Sequence, residues 1–193
     1  MIHGADPGTT RLDPHEIAGL IPTHIANRGQ LDEWELSNIL DGERWAFSRR
    51  HDDLLKPAFI RELHRQMFAR TSRWAGQYRL TEKNIGVAPT EIATALQNLC
   101  ADVRVQIIFG MPELDEIAAR FSHRLVAIHP FANGNGRHSR TMADLLLVQQ
   151  GSTRFSWGAG DLAPDGDVRQ RYLQALRSAD NGDFGPLLAF VRN

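Results

Sequence analysis

Apolar residues recur at helical spacing along most of this chain, and the pattern predicts a fold built mainly from α-helices. The stripe in residues 57–69 is the clearest, because Phe59, Ile60, Leu63 and Met67 fall at helical intervals. Prolines and glycines separate the stripes, as expected where helices begin and end. The helices predicted in this way span residues 13–22, 31–50, 57–69, 89–108, 113–128, 135–149, 167–179 and 185–192.

One segment, residues 75–87, breaks the helical pattern. Tyr78, Leu80, Ile85 and Val87 flank a polar centre, which favours a small β-hairpin. The fold class that follows is all-α, a helical bundle with one small β-hairpin.

Length and composition favour one globular unit. The chain has 193 residues, of which 42% are hydrophobic and 23% are charged, and these are ordinary values for a domain with a substantial core. We expect residues 1–56 to form an arm and helices that pack on a core formed by residues 57–193.

Charge and cysteine content exclude several classes of protein. Lys and Arg number 22 against 23 Asp and Glu, a net charge of -1, which argues against a dedicated nucleic-acid binder but leaves room for a local phosphate pocket. The single cysteine, Cys100, excludes a disulfide framework and a thiolate metal cluster. Residues 1–10 lack the features of a signal peptide, and no apolar run is long enough to span a membrane. The expected location is therefore the cytoplasm.

The richest chemistry lies in the loop between the fifth and sixth predicted helices. The sixth helix begins at about Asn135, so its free backbone N–H groups point into the loop and, with the helix dipole, form an anion site. Gly134 and Gly136 would let a phosphate approach the backbone closely. Arg137 and Arg140 share a helix face, and two guanidinium groups there suit a polyphosphate.

Two further side chains of this loop could act on a bound polyphosphate. Asn133 carries an amide oxygen that can reach a Mg²⁺ ion on the phosphates. His129 is the one group here with a near-neutral pKa, and it stands where a hydroxyl nucleophile would lose its proton. A glycine turn or an arginine pair alone is usually structural, but all of these residues at one loop–helix junction favour a nucleotide site.

The same loop resembles the signature HPFx(D/E)GNGRxxR of the Fic/Doc family. The segment from Trp74 to Arg79 resembles the family's lead-in to its flap, and the similarity as a whole covers about residues 57–190. The N-terminal stretch resembles the Fic subgroup called mobile mystery protein B. The positions that match the signature are His129, Pro130, Phe131, Gly134, Asn135, Gly136, Arg137 and Arg140.

This resemblance implies a Fic-type bundle and a protein adenylyltransferase, which transfers AMP from ATP to a Ser, Thr or Tyr hydroxyl of a target protein. His129 would be the catalytic base, ATP the substrate and Mg²⁺ the accompanying ion. The hairpin would be a flap that docks the target by strand addition. The residues implied to bind the phosphates are Gly134, Asn135, Gly136, Arg137 and Arg140. The residues implied to form the flap are Lys83, Asn84, Ile85, Gly86 and Val87.

Two positions bear on the reaction that the resemblance implies. Asn133 stands where the family has a magnesium-binding Asp or Glu, and a neutral amide is a weaker ligand for this ion. A nucleotide-binding module with little transferase activity is therefore one alternative. Gly136 stands where the Doc branch has lysine, which favours AMP transfer over the second alternative, a Doc-like phosphotransferase.

Many Fic proteins carry an inhibitory motif, (S/T)xxxE(G/N), whose glutamate pairs with the second signature arginine. The nearest candidate here comprises Ser37, Asp41 and Gly42, and Asp41 is one methylene shorter than glutamate in its reach towards Arg140. A solvated aspartate on a helix is the favoured interpretation. The resemblance also implies a toxin-type bacterial protein with an antitoxin-like or helix-turn-helix partner. A homodimer is a further candidate assembly, and no membrane or direct nucleic-acid partner is expected.

Overall fold

The computed structural model describes residues 13–21, 28–159 and 166–193, and it confirms the mainly helical fold. A short 3-10 turn, Pro89–Glu91, precedes α4. The predicted helix at residues 13–22 is shorter in the structure, and residues 22–27 lie outside the described part of the chain. The helices are Pro14–Ala18 (α1), Arg28–Phe47 (α2), Pro57–Phe68 (α3), Ile92–Phe109 (α4), Leu114–Ile128 (α5), Asn135–Gln149 (α6), Asp167–Asp180 (α7) and Gly185–Arg192 (α8).

The helices pack pairwise around one apolar core. The most extensive contacts join α2 to α3, α5 to α6, α4 to α5 and α7 to α8. Gly42 lets α2 approach α3 closely, because a Cβ there would lie only 2.7 Å from the side chain of Met67. Cys100 is buried in this core, and burial raises the pKa of its thiol to about 11. The largest fully buried side chains include Ile60, Leu63, Met67, Phe68, Leu96, Ile117, Phe121, Leu125, Phe131, Met142 and Leu145.

The hairpin predicted within residues 75–87 does not form as a pair of strands. Among the described residues the one β-bridge joins Leu20 to Ser72, and residues 78–88 are irregular backbone. The physical reason is Arg79, whose guanidinium lies inside the loop and donates to the carbonyl oxygens of Thr81 and Val87. The backbone N–H groups of Arg79 and Val87 donate to the carbonyls of Pro130 and Ile128, so the two arms of the loop bond to the turn after α5 and not to each other.

The N-terminal segment docks beside the start of this loop. The backbone N–H of Ile21 donates to the Thr71 carbonyl at 2.9 Å, and that of Arg73 donates to the Gly19 carbonyl at 2.9 Å. The Glu16 carboxylate receives the backbone N–H of Asp13 at 2.7 Å, which caps the start of α1. None of the helices within the described ranges is long and apolar enough to cross a bilayer.

Candidate active site

His129 ends α5 in a left-handed backbone conformation. Its φ is 54° and its backbone N–H still donates to the carbonyl of Leu125. Only 4% of the residue is exposed. A residue with a side chain rarely adopts this conformation, and such strain is common at functional sites. The turn at His129 separates α5 from the signature loop.

The surroundings of His129 keep its imidazole neutral. Burial lowers the pKa of His129 to about 4, and the nearby cation of Arg79 acts in the same direction. Lys83 adds a smaller effect of the same sign, while a hydrogen bond with the backbone of Val126 opposes them. The ring is therefore unprotonated around pH 7 and can accept a proton.

The signature loop is locked by its own residues. The Asn135 side chain receives the backbone N–H of Phe131 at 3.0 Å and donates to the Phe131 carbonyl at 2.8 Å. Gly134 has a φ of 79°, and a Cβ there would lie 2.5 Å from the ring of Phe68. Asn135 therefore contributes to the site through its backbone and through this clamp, since its amide is already occupied.

A buried histidine outside the signature supports the loop. His64 on α3 accepts the backbone N–H of Gly76 at Nδ1, at 2.9 Å, so its proton is on Nε2. Nε2 then donates to the carbonyl oxygen of Asn133 at 3.0 Å. The ring also stacks on Phe131, with the two ring centroids 3.8 Å apart. His64 thus ties the core to the loop that carries Asn133.

The N-terminus of α6 is open to an incoming anion. The helix begins at Asn135, so its first backbone N–H groups have no partner within the helix. Apart from the backbone of its own helix and its chain neighbours, a Cβ placed on Gly136 would meet one atom of the described residues within 4 Å, the Nη1 of Arg140 at 3.7 Å. This free space is what a phosphate needs in order to approach the N–H groups.

The two signature arginines lie in different surroundings. Arg137 donates to the carboxylate of Glu35 on α2 at 3.1 Å, and the Glu35 residue is buried. Arg140 instead lies over the rings of Trp157 and Tyr172, with its Cζ 5.9 Å and 5.5 Å from their centroids. Aromatic contact orients a guanidinium while leaving its N–H groups available to a phosphate.

Asp144 fixes the position of Trp157, one of the two aromatic rings that contact Arg140. Its carboxylate receives the indole N–H of Trp157 at 3.1 Å and the backbone N–H of Phe155 at 3.1 Å. Burial raises the pKa of Asp144 to about 6. Asp144 lies in no sequence motif that could have revealed this role.

The protein itself offers few ligands for a metal ion around Asn133. The Asn133 side chain is half-buried, and no hydrogen bond joins its amide to the described residues, so the amide oxygen can serve a ligand. Across the described ranges no three His, Cys, Asp or Glu side chains are grouped as a metal ion would require. The residues present therefore fit an ion held mainly by the phosphates of a nucleotide.

The candidate inhibitory residues have other contacts. Asp41 binds Arg44 at 2.7 Å and Arg70 at 2.9 Å, and within the described residues Arg140 forms no ion pair. Ser37 is exposed, and Gly42 faces α3. The candidate contact between Asp41 and Arg140 is therefore not formed among the described residues, and Asp41 lies on a different side of α2 from Glu35.

The loop predicted to be a flap is divided into an inner and an outer part. The Lys83 ammonium is buried, and it donates to Asp13 at 2.8 Å and to Glu16 at 2.7 Å. Val87 is half-buried, and its N–H donates to the Ile128 carbonyl at 3.3 Å. The exposed part of the flap segment consists of Asn84, Ile85 and Gly86.

The outer part of the loop lies directly over His129. A Cβ on Gly86 would be 2.8 Å from the Cβ of His129 and 2.6 Å from Nη2 of Arg79. Gly86 also has a φ of 110°, which a residue with a side chain rarely adopts. The loop can therefore lie this close to His129 only because this position is glycine.

Comparison with known proteins agrees with this geometry. Residues 54–147 match the sequence profile of the Fic/DOC family. The chain carries a domain of this family. It is 29% identical over 177 residues to "Probable protein adenylyltransferase y4lH" of Sinorhizobium fredii, covering 88% of this chain and 86% of that protein. It is 27% identical to "Protein adenylyltransferase fic-1" of Caenorhabditis briggsae over 68% of this chain, but spans only 25% of that longer relative.

Solved structures of Fic domains share the fold. The Fic domain of a VirB-translocated Bep effector from Bartonella quintana, with bound ADP, superposes with a TM-score of 0.68 at 18% identity, covering 88% of this chain and 86% of that one. A fragment of Fic-1 from Caenorhabditis elegans gives a TM-score of 0.68 at 24% identity, over 87% of this chain and 50% of that one.

Proposed function

We propose that this protein is an adenylyltransferase that moves AMP from ATP to a Ser, Thr or Tyr hydroxyl of a target protein. The observation that carries the proposal is the neutral, buried imidazole of His129, which a short loop separates from a helix N-terminus with open space for phosphates. The names of the relatives and the nucleotide bound in a structure of the same fold support it.

In the proposed reaction His129 accepts the proton of the target hydroxyl. The hydroxyl oxygen then forms a bond to the α-phosphorus of ATP, and the bond from that phosphorus to the bridging oxygen breaks. Pyrophosphate leaves with the electron pair of the broken bond, and the target keeps the AMP group. A base that stays neutral down to low pH is available for this step throughout the physiological range.

The phosphate chain is proposed to lie against the start of α6. The backbone N–H groups of Gly134, Asn135 and Gly136 would face its oxygens, and the open space at Gly136 supports this placement. Arg140, oriented by its aromatic neighbours, would bind the outer phosphates and offset the charge that develops on pyrophosphate. Arg137 would join it after exchanging Glu35 for a phosphate.

Mg²⁺ is proposed to accompany the nucleotide, with the Asn133 amide oxygen as its contact to the protein. The ion neutralises phosphate charge when it is bound. A single neutral ligand gives the protein little affinity of its own for Mg²⁺, so most of the coordination would come from phosphate oxygens and water.

The exposed residues 84–86 are proposed to dock an extended target segment by backbone hydrogen bonds. We also propose a bacterial toxin-type role in the cytoplasm, with an antitoxin-like or helix-turn-helix protein or a second copy of the chain as partner. These points rest on the family resemblance of the sequence. One observation favours the alternative of a nucleotide-binding module with little activity, namely that Glu35 already occupies Arg137.

Radiolabelled ATP tests the proposed reaction. The protein is incubated with Mg²⁺ and candidate target proteins, once with α-³²P-ATP and once with γ-³²P-ATP. We expect protein-bound label only from the α position, and a mass gain equal to AMP. The variant His129→Asn should lose at least about 99% of the label, and asparagine tolerates the left-handed backbone at this position.

Each other outcome selects a different function. Label from the γ position would indicate a Doc-like phosphotransferase. ATP binding in calorimetry without any transfer, including after Glu35→Gln, would indicate a nucleotide-binding module and contradict the proposal.

A further inference from the structure

Arg79 is a buried cation whose guanidinium joins the backbone of His129 to the loop of residues 81–87. Only 3% of the residue is exposed. Its Nε donates to the carbonyl oxygen of His129 at 2.7 Å, Nη1 donates to that of Thr81 at 2.9 Å, and Nη2 donates to that of Val87. Within the described residues no carboxylate forms an ion pair with it.

A buried guanidinium without a carboxylate partner is costly, so its presence calls for a reason. Burial lowers the pKa of Arg79, which reflects this cost. A neutral amide could donate to one or two carbonyls without burying a charge. Arginine differs in two respects, since its rigid fork reaches three carbonyls at once and it brings a permanent positive charge next to His129.

The backbone of Arg79 extends the same connection. Its N–H donates to the carbonyl of Pro130 at 2.9 Å, and the N–H of Val87 donates to that of Ile128 at 3.3 Å. Both ends of the loop that begins after Arg79 are thus fixed to the three residues at the turn from α5 into the signature loop.

We propose that Arg79 is a positioning residue, which fixes the loop of residues 81–87 on the backbone of His129 and places a permanent positive charge beside that turn. The proposal deepens the proposed function and rests on it, because a neutral base under an ordered docking loop is what the transfer requires. Arg79 touches no reacting atom in this scheme, and it acts through His129 and the loop.

The other charged groups near His129 define the background for a test. Lys83 lies on the same loop and acts on the His129 pKa in the same direction as Arg79, and it is bound by Asp13 and Glu16. Glu16 and Glu82 act on Arg79 itself. Arg79 is the largest electrostatic contribution of this set to the pKa of His129.

The test compares Arg79→Gln, Arg79→Lys and Arg61→Gln with the parent protein. Gln removes the charge and the fork, whereas Lys keeps the charge and removes the fork. Arg61 is the matched control, because it also donates to a loop carbonyl, that of Gly76 at 2.9 Å, and lies against a ring, that of Tyr78. His129 is titrated by NMR of the ¹³C-labelled ring, and its signal is assigned with His129→Asn.

Two readouts separate the charge from the fork. In Arg79→Gln we expect the His129 pKa to rise by about one pH unit or more, and hydrogen exchange at the Val87 amide to accelerate about tenfold or more. In Arg79→Lys the pKa should remain within about half a unit of the parent value while the exchange still accelerates. Arg61→Gln should change neither.

Both readouts are independent of activity, so they remain valid if no target is ever labelled. Failure of the proposed function would appear as absence of α-³²P transfer by the parent, whereas failure of this inference would appear in the titration. A folded Arg79→Gln protein with the parent His129 pKa would overturn the role of the charge. Should Arg79→Gln not fold, Arg79→Lys decides, because parent-like exchange at Val87 would overturn the role in fixing the loop.

Discussion

At the scale of single residues, the site depends on two unusual backbone positions on either side of a short loop. His129 is left-handed at φ 54° and Gly134 at φ 79°. The first turn sends the chain out of α5 with the imidazole buried, and the second sends it into α6 with the backbone N–H groups free. The proposed base and the proposed phosphate site are therefore placed by backbone conformation rather than by long side chains.

Asn133 is the residue at which the site differs most from the family signature, and it gives a direct prediction. Asn133→Asp adds a carboxylate at the proposed ion contact, which should strengthen Mg²⁺ binding in the nucleotide complex. We expect the Mg²⁺ concentration for half-maximal AMP transfer to fall about fivefold to tenfold. The measurement is the rate of label transfer from α-³²P-ATP against Mg²⁺ concentration.

The control for this variant is Asn181→Asp, which makes the same change at an exposed position after α7. It should leave the Mg²⁺ dependence unchanged. An Asn133→Asp protein whose Mg²⁺ dependence matches the parent would show that this side chain does not contact the ion.

At the scale of elements, the sequence predicted the helices well and the loop poorly. The end of α5 and the start of α6 were predictable because Pro130 and the glycines after it interrupt the helical spacing of apolar residues. The loop after Arg79 shows the apolar flanks of a hairpin, but a single buried guanidinium takes the carbonyls that strand pairing would use. No periodic pattern reveals such a contact, since it depends on where the side chain points in the folded protein.

The contact between α2 and α6 could not be predicted from the sequence either. Glu35 and Arg137 are 102 positions apart in the chain, and Glu35 does not fall in an inhibitory motif. The motif pointed to Asp41 instead, six positions away and on another side of the same helix. Two acidic residues of α2 can therefore be compared in one experiment.

We expect Glu35→Gln to strengthen ATP binding. The Glu35 carboxylate competes with phosphate oxygens for Arg137, and the amide of Gln competes less because it is uncharged. A partly exposed pair of this kind corresponds to about a twofold to fivefold lower Kd for ATP. Isothermal titration calorimetry of ATP against the parent and the variant measures the change.

Asp41→Asn is the matched control on the same helix. Asp41 binds Arg44 and Arg70 rather than a signature arginine. The Kd of the Asp41→Asn protein for ATP should therefore equal that of the parent. Tighter ATP binding by Asp41→Asn, together with a parent-like Kd in Glu35→Gln, would refute the assignment of Glu35. It would support Asp41, the residue to which the motif pointed.

At the scale of the whole molecule, three buried histidines connect the active site to the stability of the fold. Burial lowers the pKa of His64 well below its usual value, and it lowers the pKa of both His129 and His138 to about 4. His64 and His138 are neighbours, with ring centroids 5.6 Å apart, and His138 forms a 2.9 Å hydrogen bond with the Ile60 carbonyl. Each ring must stay neutral in the folded protein.

Because the folded-state pKa of each histidine is lowered, the unfolded chain binds more protons below pH 6.5, and stability is lost as the pH falls from there towards 4. Each neutral buried histidine contributes about 1.4 kcal/mol per pH unit to this loss. We expect His138→Gln, whose amide can still donate to Ile60, to reduce the slope of unfolding free energy between about pH 4 and 6 by that amount. Urea denaturation at several pH values measures the slope.

The exposed His15 gives the control His15→Gln, which should keep the parent slope. An unchanged slope in His138→Gln would mean that the His138 ring is protonated inside the folded protein.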